Sequence, residues 1–191
     1  MPNELITASS RELATELTAY DEKMLSVFEY LGLPTNNILV KVDERRKVFK
    51  NIEDVLEPLS SETLETSTYI SKFLSAVSAG LFDAALNYLW DETVSQLRFR
   101  VSQYDIQYFF DLAVTSDKRN KLSTEADLAK IDDSELIQGA KEIGLISDIG
   151  YRMLDNIKFM RNWASAAHPN QVELTGLQLI SWLETCIKEV I

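Results

Sequence analysis

The sequence predicts an all-α fold, and three observations carry that prediction. Proline occurs only four times and glycine six times in 191 residues, both below ordinary usage. Alternating runs of β-branched residues are scarce. Apolar residues recur instead at spacings of three and four, the period of helices that turn one face to a core.

Each element follows from local signals. A first helix starts behind Thr7-Ala8-Ser9-Ser10, where Ser9 or Ser10 can cap free amides, and runs to about Leu31, where Gly32 and Pro34 stop it. Leu33 to Val42 reads as a connection in which Ile38-Leu39-Val40 suits a short extended piece, and a second helix follows from about Asp43 to Glu57. Pro58 and Ser60-Ser61-Glu62 mark a new start. Helix formers then continue to about Tyr104, as one very long helix or two end to end, with only Gly80 as a weak point. Asp105 to Leu112 reads as a short aromatic helix, and Thr115 to Lys130 as a polar surface excursion between core helices. Asp132-Asp133-Ser134-Glu135 is an acidic helix start, with Gly144 suited to the left-handed position after the last turn. From Ser147-Asp148 another helix carries Ile149, Met153, Ile157, Met160, Ala164 and Ala167 as a core-facing stripe, and His168-Pro169 ends it. The last helix, about Glu173 to Val190, has Leu174, Leu177, Ile180, Leu183 and Ile187 on one side and Leu179 and Trp182 on another, which expects two neighbours.

Composition narrows the chemistry. One cysteine, Cys186, excludes a disulfide framework and a cysteine-clustered zinc site within the chain, and one histidine, His168, excludes a histidine-rich metal site. No apolar run approaches a membrane span, and the start lacks a signal-peptide profile, so a cytoplasmic protein without membrane attachment is expected. Phosphate-binding loops, dinucleotide fingerprints and serine elbows are missing. The formal charge of -11 predicts weak binding of nucleic acid over most of the surface, so any such site must be local.

The search for chemistry narrows to the single histidine and its helix. Arg161 and His168 lie seven residues apart, which brings them within roughly 20° of one another about a helix axis. Leu154, Lys158 and Ser165 share this stripe, one residue on from the expected core positions and hence at the edge of the buried face. An arginine can hold a phosphate through its guanidinium fork and steady transition-state charge, and a histidine titrating near neutrality can transfer protons. Together they form a minimal kit for breaking an RNA phosphodiester without a metal. One histidine cannot serve as acid and base at once, a gap that a second chain's Arg-His pair would fill. The bland alternatives are that His168 satisfies terminal carbonyls and Asn162 bonds within its own turn. Trp90, Trp163, Trp182, Phe109 and Phe110 read as core, Asp91-Glu92 as a solvated helix face, Arg98-Phe99-Arg100 as a locally basic spot, and Cys186 as inert.

Arg161-Asn162 followed by His168 resembles the R-x(4–6)-H motif of the HEPN family, in which a polar residue, commonly Asn, follows the Arg. The segment from Gly80 to Arg98 is similar to the family's long first core helix, and the resemblance covers about residues 61–191. It implies a HEPN-like helical bundle over residues 59–191, with residues 1–58 as an N-terminal helical extension. Many HEPN proteins look like metal-independent endoribonucleases that pair two motifs in one dimer cleft, often as toxins or phage-defence effectors. On that resemblance Arg161 and His168 are catalytic, Asn162 orients or supports them, and Asp91 and Glu92 are candidates for a further acidic contributor. The expected partners are RNA at a local site, a second copy through the motif face, and an antitoxin or other protein, with no cofactor and no metal. The alternative is a non-catalytic HEPN-like dimerisation or interaction module of a larger defence or regulatory protein. Strong acidity and the 115–130 segment depart from the family's pattern.

Overall fold

The computed structural model describes residues 10–164 and 173–191, and among them every regular element is helical and no strand occurs. In chain order the elements are α1 (Ser10–Tyr30), α2 (Val42–Leu56), α3 (Ser61–Thr66), α4 (Thr68–Ser78), α5 (Phe82–Ser102), α6 (Ile106–Ala113), α7 (Ser116–Arg119), a 3-10 segment (Glu125–Lys130), α8 (Asp133–Glu142), α9 (Asp148–Ala164) and α10 (Gly176–Glu189). The all-α expectation therefore holds. The initial cap at residues 7–9 and the end of the motif helix, including Ser165, Ala167, His168 and Pro169, lie outside the described residues.

Short polar side chains set the helix starts. Ser67 accepts the Ile70 amide at 3.2 Å, and Asp105 accepts those of Gln107 and Tyr108. Asp132 with Glu135, and Thr175 with Gln178, form reciprocal capping boxes, each such cap contributing about 1 kcal/mol. The Thr175 box starts the last helix at Gly176, slightly later than the apolar pattern suggests.

The expectation of one long helix, or two end to end, between residues 60 and 104 is corrected. Ser67 separates α3 from α4, and α5 folds back along α4 after a turn at Gly80. Gly80 has φ +72, and the amides of Gly80 and Leu81 return to the carbonyls of Val77 and Ala76. That left-handed closure favours glycine and ends the helix outright. A Cβ there would also lie 2.8 Å from the Arg45 guanidinium.

α5 is the central helix. It packs against α4, α8, α9 and α10, and Leu86, Leu89, Trp90 and Leu97 on it are almost fully buried. α10 also meets α2 and α9, which gives its broad apolar face the neighbours it needs, although Leu177 stays exposed. Val48, Ile52 and Val55 of α2 belong to the same hydrophobic cluster as Phe73, Leu89 and Leu183. Arg45, fully buried, donates to the carbonyls of Val40 and Ser78 and to both carboxylate oxygens of Asp21, so it ties α1 and the 31–41 connection to the α4 end.

Two further segments gain detail. The 115–130 segment lies mostly at the surface, as expected, and is anchored there by buried Leu122 and Leu128, with Ile131 buried just beyond it. Asp127 gathers the amides of Ser123 and Thr124 and the Lys130 ammonium. The Lys130 bond and those two amides hold its carboxyl well below the usual carboxylate range. The basic spot at Arg98-Phe99-Arg100 is partly structural, since Arg100 donates to the carbonyls of Leu145, Glu189 and Val190 and fastens the end of α10.

Candidate functional site

Ser147 accepts the Gly150 amide at 2.8 Å and starts α9, which lies against α5, α8 and α10. The line that α9 buries is Gly150, Leu154 and Ile157. The expected core stripe through Ile149 and Met153 is therefore corrected, because Ile149 is 73% and Met153 42% exposed. At Gly150 the helix passes close to α10, where the Glu189 carboxylate and the Ser147 hydroxyl occupy the space a Cβ would take. Arg161 stands seven residues beyond Leu154 and shares the inward line, where it reaches the edge of the bundle half-buried.

There the Arg161 Nε donates to Asn87 Oδ1 at 2.8 Å, and Nη1 donates to Asn162 Oδ1 at 3.1 Å. Two amide oxygens thus fix the plane of a permanent cation. One turn along α5 from Asn87 is Asp91, half-buried in a field set by Arg161, Asp133 and Lys72. Burial pushes the Asp91 carboxyl above its ordinary value and Asp133 adds to that, while Arg161 and Lys72 pull the other way. Asp133 in turn accepts the Trp90 indole N–H at 2.6 Å. Lys158 closes the edge by donating to Ser134 at 2.7 Å and pairing with Asp155 at 2.8 Å.

The structure thus brings Arg161, Asn162 and Asp91 to one edge. The reading of Asp91-Glu92 as a solvated face is corrected: Glu92 is buried, where it accepts hydrogen bonds from Ser67 at 2.8 Å and Gln96 at 2.9 Å on another side of α5. Asn87 is the residue that sequence reasoning missed, and its only signal is the four-residue spacing to Asp91. His168 lies outside the described residues. Trp90, Phe109 and Phe110 are core as expected, whereas Trp163 and Trp182 are half-exposed and Phe159 packs on Trp163 with ring centroids 5.7 Å apart. Cys186 is fully buried, and that burial pushes its thiol up to about 12, as an inert role requires.

A groove of about 630 Å³ lies elsewhere, between α9 and α10, with Met153, Ile157 and Trp182 among its walls. It takes in neither Arg161 nor Asp91. Among the described residues no group of three or more His, Cys, Asp or Glu is placed to hold a metal, and no helix is long and apolar enough to cross a membrane.

Comparison of the chain with protein-family models, curated proteins and solved structures finds no match.

Proposed function

We propose that the chain is a metal-independent endoribonuclease of HEPN type, working as a homodimer and suited to a toxin or phage-defence role. The observation that carries this reading is Arg161: a half-buried guanidinium held in plane by Asn87 and Asn162, with a raised carboxyl, Asp91, beside it. A fixed guanidinium presents paired donors to a phosphate and stabilises the charge that grows on its oxygens. His168, seven residues on, supplies the proton for the leaving 5′-oxygen. The 2′-hydroxyl attacks phosphorus and yields a 2′,3′-cyclic phosphate and a 5′-hydroxyl. Asp91, or the His168 of a second chain, is the acceptor for the 2′-hydroxyl proton.

The test is incubation of the purified chain with mixed tRNA and mRNA in EDTA, beside Arg161→Ala and His168→Ala, with the cut ends mapped. The expected result is cyclic-phosphate ends from the unaltered chain, reduced at least about 100-fold in either variant. Intact RNA throughout, or equal cutting by all three proteins, rejects the nuclease.

The second reading is the non-catalytic interaction module. The observation that favours it is that α9, the helix that carries Arg161, leaves Ile149, Met153 and Phe159 exposed.

A further inference from the structure

Building on the ribonuclease reading, we propose that Tyr69, Lys72 and Tyr88 form a second subsite that holds single-stranded RNA beside the scissile phosphate, with a base against a tyrosine ring and a phosphate on Lys72. The turn at Gly80 creates this juxtaposition by folding α5 back along α4. Lys72 Nζ lies 5.3 Å from the Tyr69 ring centroid and 5.7 Å from that of Tyr88. Both rings are half-buried, so they are anchored yet keep a reachable surface, and Lys72 is exposed.

Asp91 links the subsite to the Arg161 edge. Tyr88 directly follows Asn87, which holds Arg161, and Asp91, three residues further on, feels both Arg161 and Lys72. A strip of aromatic, cationic and amide groups therefore crosses α4, α5 and α9. Two cations, Lys72 and Arg161, lie along this strip. Lys47, Lys118, Lys130, Lys141 and Lys158 each sit in an ion pair with a carboxylate. Among the described residues Lys72 and Arg161 have no such direct ion pair, and both act on Asp91 between them. A cation steadied over rings, next to a guanidinium fork, suits alternating phosphates and bases. The rings require an unpaired base, since a duplex keeps its base faces stacked, and this selects single-stranded RNA.

Fluorescence anisotropy of a labelled 12-nucleotide RNA on the His168→Ala chain, across a salt series, tests the subsite, with circular dichroism confirming that each variant is folded. The single strand is expected to bind more tightly than the same sequence in a duplex. Lys72→Ala is expected to weaken binding about tenfold and to flatten the logarithmic salt slope by about 0.7, the mark of one lost phosphate contact on a single strand. Tyr88→Ala is expected to weaken binding about tenfold while Tyr88→Phe retains it, because the ring face does the binding. Cutting by the unaltered chain reports on the ribonuclease reading by itself. If that chain cuts RNA while Lys72→Ala and Tyr88→Ala bind as before with an unchanged salt slope, the subsite alone is overturned. If the chain neither cuts nor binds RNA, both fall, and a protein-docking role for the strip takes their place.

Discussion

Asp91 pays for its position. Its carboxyl is raised, so the folded state binds that proton more tightly than the unfolded state does, and the group's contribution to stability falls as pH rises through the ordinary carboxylate range. Asp91→Asn is therefore expected to raise the melting temperature at pH 7 and to change it little at pH 3, while lowering RNA cleavage. A gain in stability coupled to a loss of activity is the pattern of a residue kept for function. Asp127 has the opposite sign. Its carboxyl is depressed by Lys130 and two backbone amides, so its stabilisation is present above the unfolded value and fades as pH falls toward the folded one. Asp127→Asn is expected to lower the melting temperature at pH 7, with the gap to the unaltered chain closing in melts below about pH 4. Sequence could not separate Asp91 from Glu92: adjacent residues on a helix point about 100° apart. Which one faces Arg161 depends on where Ser67 and α9 pack.

At the scale of elements, helix boundaries were readable because caps are local chemistry: Asp132 with Glu135, and Gly144 with φ +75, sit where the sequence signals put them. The roll of α9 was not readable. Its apolar residues cover a broad arc, and the line that is buried depends on how α5, α8 and α10, distant in sequence, pack around it. The roll also moves Arg161 from an edge stripe onto the inward line, where Asn87 can hold it. Close approach governs the start of α10 as well. Gly176 donates its amide to Glu44 at 2.9 Å, and a Cβ on it would lie 2.0 Å from the Glu44 carbonyl oxygen. Backbone cannot swing aside as a side chain can, so Gly176→Ala is expected to cost about 1–3 kcal/mol, read as a lower midpoint in urea unfolding.

Across the whole molecule, stability is uneven. α5 is surrounded by helices, whereas α1 has Leu17 as its buried apolar residue and depends on the bidentate pairing of Asp21 with Arg45 at 2.6 and 2.8 Å. Arg45→Ala removes one partner of a buried ion pair together with its bonds to two carbonyls. It is expected to destabilise the protein by about 3–5 kcal/mol, with α1 amides exchanging hydrogen well before those of α5. The all-helical class was legible from periodicity alone. The fold-back at Gly80 was not, because a single glycine in a helical run is tolerated as readily as it ends one. That turn is what sets Tyr69 and Lys72 beside Tyr88. Cys186 gives the interior a clock of its own. A thiol sealed in the core at about 12 cannot meet a labelling reagent until the bundle opens around it, and the sequence holds no other cysteine. Once the reagent is concentrated enough to outpace reclosing, the labelling rate becomes the opening rate of the bundle, read from the unaltered chain without an introduced probe.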